Sequence, residues 1–457
     1  MSVQLHMPNH SLTVSAILAA STLIGCARTD TGRGSQTPAS PFAIVALADS
    51  LSTHDLWPGF NPRSTPVAIF DGSRTLLFRH PAPPPAFTPL AGHDSVWVHA
   101  GRDSSVSANT STPLGGVTTA TLMLASDSVP VLRRAGTLIH EAFHVFQRAH
   151  HHSWAANEAD LFTYPVKDAR LLTLRRLESE AFRRALGASS RNGTKCWAAA
   201  AMTLRHDRFL KLPASGAAYE RGTELNEGLA TYVEWRATDA PDSTVMPATE
   251  FAPEKIRQRG YRSGVAIARL LDQFSPDWRA SLEARDSVPL DSMLSTAIEA
   301  QRVTPCAFTD AERDSVRAAA ESDEAALERR LATERRTFLD RPGWRLVIRA
   351  ANPLFPQGFD PLNVSVVAPG EVLHARLVKV GNDAGSVEVI GRPALSEAAG
   401  AHPLFNGVRT LTVTGLDSAP RVTVADSGLS ISADGISGMF RGARVDTAGM
   451  VMTLHLP

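Results

Sequence analysis

The sequence predicts an α+β fold: a mixed sheet packed on a helix, a helical subdomain, and a small all-β, sandwich-like C-terminal domain. Three observations carry this. Short β-prone runs broken by proline and glycine fill much of the chain between Pro41 and Ala125. Long stretches with apolar residues at helical spacing, many of them rich in charge, follow as far as Leu339. From Trp344 to Pro457 short alternating runs separated by Gly, Asp, Asn and Pro turns take over.

At 457 residues the chain has room for two or three sizeable cores. Its 43% apolar and 20% charged composition, with 46 basic against 46 acidic residues, is that of an ordinary globular protein. No net positive charge or basic tract supports a nucleic-acid partner.

Taken in order, Ser11 to Gly25 is apolar, too short to span a bilayer comfortably and suited to a signal-peptide core. It ends in Leu23-Ile-Gly-Cys26, which resembles a bacterial lipobox, although His6 and His10 stand where a signal usually carries lysine or arginine. The resemblance implies that residues 1–26 form a lipoprotein signal, that Cys26 is acylated, and that the protein is exported and anchored to the cell-envelope membrane. Plain secretion is the alternative. Residues 27–40, rich in Thr, Gly, Ser and Pro, read as a tether. In an oxidising compartment Cys196 and Cys306 are left as a pair, open to a disulfide or to two buried thiols.

Residues 41–341 read as one domain and 342–457 as a second. Within the first, strands are expected at Phe42 to Leu47, Pro66 to Phe70, Thr75 to Phe78, Ser95 to His99 and Thr119 to Ala125, with a loop from Pro81 to Pro89. Helices are expected at Asp168 to Leu186, Lys195 to Leu210, Tyr219 to Ala237, Arg262 to Gln273, Trp278 to Ala284 and Asp310 to Leu339. Glu178, Glu180 and His206 sit on charged helices and read as solvated. In the second domain, Arg409 to Leu416 and Ser427 to Ala433 are the clearest strands.

The chemistry is concentrated in Leu138 to Phe146, which contains His140-Glu141-x-x-His144. Two imidazoles four residues apart project from one face of a helix and can share a tetrahedral metal. The adjacent glutamate is placed to take a proton from a water at that metal, the arrangement of zinc hydrolases. Asp127 or Ser128 offers an N-cap, Pro130 suits the first turn, and Leu132, Leu138, Ile139, Ala142, Phe143 and Phe146 provide apolar surface. The strand ending at Ala125 would offer an extended substrate an edge. His150 lies six residues after His144, as in metzincins, but Gln147 replaces the glycine at which those chains leave the helix, and a continuing helix turns His150 away. The run His150-His151-His152 reads instead as a helix end.

Downstream, Asn226-Glu227-Gly-x-x-x-Tyr232-x-Glu234 follows, then Tyr261-x-x-Gly264 before an apolar helix. Together with the His-Glu-x-x-His motif, this order resembles the gluzincin zinc metallopeptidases, in particular the aminopeptidase-N-like branch, over roughly residues 119–285. The resemblance implies one zinc ion held by His140, His144 and Glu227. It further implies Glu141 as general base, Tyr261 as donor to the developing oxyanion, and a peptide or protein as substrate. Glu224 and Glu234 lie about one and two turns from these groups, as partners for a ligand histidine or as helix-surface charges. The long spacing from His144 to Glu227 implies helices inserted between the ligands, and no Gly-x-Met-Glu-Asn segment precedes the metal helix. A zinc hydrolase of a non-peptide bond and a non-catalytic binding lipoprotein are the competing readings.

Overall fold

The computed structural model describes residues 40–457 except 54, 125–128, 249–250, 362 and 426–427. The signal segment, Cys26, nearly all of the tether and the expected caps Asp127 and Ser128 therefore lie outside the described residues. Among those described, no helix is long and apolar enough to cross a membrane.

The fold is mixed α and β, with an N-terminal mixed sheet, a helical region and a C-terminal all-β sheet. Phe42 to Leu47 is not a strand as expected but belongs to a helix, α1 (Pro41–Leu51). Ser40 caps it by accepting from the Ala43 amide at 3.1 Å, and Pro41 occupies the first turn. Pro41, Ile44, Val45 and Ala48 are the buried residues, a helical spacing hidden inside an uninterrupted apolar run.

The N-terminal sheet comprises β1 (Val67–Phe70), β2 (Arg74–Phe78), β3 (Thr88–Pro89), β4 (Val96–Ala100), β5 (Thr110–Leu114) and β6 (Val117–Met123), in the order β3-β4-β2-β1-β6-β5. Only β1 and β6 run parallel. The strand before the His-Glu-x-x-His helix is not a free edge: β6 pairs with β1 on one side and β5 on the other, so β5 carries the edge. Helix α2 (Val131–His150) packs on this sheet. Its Leu138, Ile139, Ala142 and Phe143 share one core with Ile69, Leu76, Ala120 and Leu122.

The helical region follows as α3 (Ala169–Leu186), α4 (Arg191–Phe209), α5 (Ala214–Thr223), α6 (Leu229–Thr238), α7 (Ile256–Phe274), α8 (Trp278–Ala284), α9 (Leu290–Glu299) and α10 (Asp310–Leu339). Helix α9 was not expected. A π-turn, Glu224–Gly228, joins α5 to α6 without a break. Cys196 and Cys306 form a disulfide with a Cα separation of 4.9 Å, tying α4 to the segment before α10. A capping box of Thr309 and Glu312 starts α10.

Five of these helices, α3, α4, α5, α7 and α9, are locked by charges in the interior. Glu178, read as solvated, is fully buried and accepts from Arg205, Arg208 and Arg259 at 2.9, 2.6 and 2.8 Å. Glu220 pairs with Arg208, Glu224 and Asp291 pair with Arg205, and Arg221 bonds Asp291 at 2.9 Å, so four carboxylates balance four guanidiniums. Balance is what makes the cluster tolerable, because an unpaired charge here costs several kcal/mol. Glu180 instead pairs with Arg183 and Arg184 near the surface, and His206 is exposed.

The C-terminal strands are β7 (Trp344–Phe359), β8 (Val364–Ala368), β9 (Glu371–His374), β10 (Leu377–Asn382), β11 (Gly385–Ile390) and β12 (Ala394–Ala398). They continue as β13 (Val408–Leu416), β14 (Arg421–Ala425), β15 (Gly428–Ala433), β16 (Ile436–Phe440), β17 (Arg444–Ala448) and β18 (Val451–Leu456). The long β7 joins them: its first half pairs with β13 and β18 and its second half with β10. Phe162, from a 3-10 turn at Glu158–Thr163, inserts into this sheet's core against Phe359 and Phe405. His402 Nε2 donates to the Ala159 carbonyl of the same turn at 2.9 Å.

Burial raises the proton affinity of Glu178 and Glu220, but their arginines more than offset it, bringing Glu220 from 4.5 down to about 2. Their contribution is therefore complete above the unfolded-state value and is lost as pH falls from about 4.5 through 2. Glu178→Ala, which leaves three guanidiniums short of a partner, is expected to cost about 3–5 kcal/mol in urea denaturation at neutral pH. A loss below about 1 kcal/mol would show that the cluster is not the anchor described.

Candidate metal centre

Helix α2 presents His140 and His144 from consecutive turns, and the π-turn brings Glu227 up to them. His140 Nε2 and His144 Nε2 are 3.1 Å apart, and Glu227 Oε2 lies 3.5 and 3.3 Å from them. The three form a nearly regular triangle with all candidate donor atoms within 4.8 Å. A tetrahedral metal with bonds of roughly 2.0–2.1 Å needs ligand atoms about 3.3 Å apart, so the donor set fits such an ion without rearrangement. The triangle supplies three of the four corners of such a tetrahedron.

The side chains around the triangle fix its orientation. Gln147 Oε1 lies 2.7 Å from His144 Nδ1, and Gln147 Nε2 donates to the carbonyls of Leu225 and Asn226 at 3.0 Å each. Because those carbonyls only accept, the amide orientation is settled, His144 must carry its proton on Nδ1, and Nε2 keeps a lone pair for a metal. Glu234 Oε2 sits 3.3 Å from His140 Nδ1, beside it but off the hydrogen-bonding direction. On the far side of Glu227, Oε1 accepts from Arg257 Nη2 at 2.7 Å, leaving Oε2 for the histidines. Arg257 is held in turn by Glu158.

Two glycines set the approach of α7. A Cβ on Gly228 would meet the Cα of Gly264 at 2.7 Å, so the π-turn and α7 touch backbone to backbone. That contact places Arg257 and Tyr261, one turn apart on α7, next to Glu227. The Tyr261 ring lies parallel to His140, with centroids 6.2 Å apart.

Four carboxyls, Glu141, Glu158, Glu227 and Glu234, surround the site with Arg257 as the balancing guanidinium. Burial pulls His140 down, but Glu227 and Glu234 more than offset it and raise it to about 10. Burial would raise Glu227, yet the two imidazoles hold it well below the usual range. Glu141 is buried beside them, and burial lifts its proton affinity above an ordinary glutamate. Burial and the Glu227 charge raise Tyr261, keeping the phenol protonated as a donor.

The structure thus brings together His140, Glu141, His144, Glu227 and Tyr261. It does not bring in His150, exposed at the end of α2 with its ring on Phe146, nor Glu224, which bonds Arg205 and Ser263 in the buried ion cluster. His151 is buried too, stacked on Trp154 and paired with Glu283. Gln147, Arg257 and Glu158 were missed. Gln147 was legible, standing one turn beyond His144 on the same face, whereas nothing local marks Arg257 or Glu158. Compared with known protein families, curated proteins and solved structures, the chain matches none.

Gln147→Ala removes the group that orients His144 and bridges α2 to the π-turn. Competition against a chromophoric chelator is expected to show metal affinity reduced about 10- to 100-fold, with the circular dichroism spectrum unchanged. Undiminished affinity would contradict the orienting role.

Proposed function

We propose that this protein is a zinc-dependent peptide hydrolase of gluzincin type, exported and lipid-anchored through Cys26, with a sandwich-like C-terminal module. The observation that carries the reading is the triangle of His140 Nε2, His144 Nε2 and Glu227 Oε2 with Glu141 buried beside it. A zinc ion bound there supplies Lewis acidity and makes a water acidic enough to lose its proton near neutral pH.

Glu141 has the chemistry of the base. Its raised proton affinity lets it accept the proton of the attacking water and later return it to the leaving amine. Tyr261, protonated and parallel to His140, donates a hydrogen bond to the acyl oxygen as negative charge builds on it. Glu227 holds its position through Arg257, and Gln147 keeps the His144 imidazole directed inward.

With a mixed-sequence peptide library as substrate, Glu141→Gln is expected to lower kcat by at least about 100-fold while the bound metal stays stoichiometric. Tyr261→Phe is expected to lower kcat by about 10- to 100-fold with little change in KM. Peptide cleavage that persists in Glu141→Gln would overturn the mechanism.

A further inference from the structure

We infer that the cavity between the helical region and the C-terminal sheet binds ligands whose apolar body ends in a carboxylate. This does not rest on the hydrolase reading. The cavity has a volume of about 790 Å³, within the range of roughly 300–1,000 Å³ that small-molecule sites occupy. Its walls come from four separate elements: the Glu158–Thr163 turn and the segment after it, the first turn of α7, the C-terminal half of α10, and strands β8 and β9.

Apolar side chains from several walls face it, among them Leu161, Phe162, Leu331, Val366 and Leu373. The charges are unequal. The two acidic residues of the wall share one guanidinium: Arg330 bonds Glu254 Oε1 at 2.5 Å and Glu334 Oε1 at 2.6 Å, while Glu254 Oε2 is buried without a hydrogen-bond partner. Arg257 is committed to Glu227 and Glu158. Lys167, Lys255 and Arg341 remain, and among the described residues no salt bridge joins any of them to a carboxylate. With Arg330 set against both carboxylates, these three cations leave the wall of an apolar chamber net positive, which complements a ligand that is apolar along its length and anionic at one end.

Two sources share that chemistry, the free C-terminus of a hydrophobic peptide and a long-chain fatty acid. Position adds a consequence: Arg257 lines the cavity with one part of its side chain and holds Glu227 with its guanidinium, so an occupant lies one residue from the metal ligand.

The test is isothermal titration of the chain from Ala27 to Pro457 carrying Glu141→Gln, which spares a peptide probe from any cleavage. The probes are dodecanoate, an N-acetylated hydrophobic pentapeptide with a free C-terminus, and their uncharged counterparts, dodecanol and the C-amidated peptide. Binding of at least one carboxylate probe, weakened tenfold or more in its uncharged counterpart and again in Lys255→Glu and in Arg341→Glu, is the expected result. Dodecanoate alone binding identifies a fatty acid as the source, and the peptide alone identifies a C-terminus. Repeating the titration with Glu227→Ala, in which the metal reading can fail by itself, is expected to leave binding within about twofold. No binding by either carboxylate, equal binding of the uncharged counterparts, or affinity unchanged in both charge-reversal variants would overturn the inference. Lys255→Gln and Arg341→Gln serve if a reversal variant fails to fold, with a loss of at least threefold expected from each.

Discussion

The constraint on which the structure depends is the burial of Glu227 between two histidines and an arginine. A carboxylate in the interior is tolerable only when both oxygens are engaged. Here Oε2 faces His140 and His144, and Oε1 accepts from Arg257. Arg257 is itself half-buried and paired with Glu158, and Glu158 opens the 3-10 turn that places Phe162 in the core of the C-terminal sheet. One ligand thus ties the N-terminal sheet, through α2, to the C-terminal strands some 200 residues beyond. Glu141, Glu158 and Glu234 add three more carboxyls around the same triangle, with Arg257 as the guanidinium among them.

Backbone shape makes that arrangement possible. An uninterrupted α-helix from α5 into α6 would carry Glu227 past the histidines at a fixed pitch, whereas a π-turn shifts the register at that point. The Gly228–Gly264 contact then lets α7 come close enough for Arg257 and Tyr261 to reach the same carboxylate. Behind the turn, the balanced cluster around Glu178 acts as a rigid backing. Glu224, the first residue of the π-turn, is bonded to Arg205 and Ser263, so the ligand-bearing segment is clamped at its base. The glycines of the two downstream motifs have a packing reason as well as a resemblance.

Much of this was legible in the sequence. His140 and His144 follow from helical geometry alone, and α3, α4, α8 and α10 follow from periodicity and caps such as Asp168 and Thr309. Glu227 and Tyr261 were reachable only through the order of motifs, because a ligand 83 residues beyond His144 leaves no local trace. Arg257, Glu158 and the cluster around Glu178 were illegible for one shared reason. Pattern reading counts charged residues as solvated, and only tertiary packing shows which of them meet inside. The error at α1 has a different origin: an apolar run without polar interruptions fits strand and helix equally, and the Ser40 cap with Pro41 decided it.

The central claim is that His140, His144 and Glu227 hold a single zinc ion. X-ray absorption at the zinc edge, on the purified protein with metal content measured on the same sample, tests it most directly. The account predicts one zinc per chain, with two imidazole nitrogens and light oxygen donors at about 2.0–2.1 Å and four ligands in all. A six-coordinate, all-oxygen environment, or metal well below one equivalent after zinc reconstitution, would contradict it.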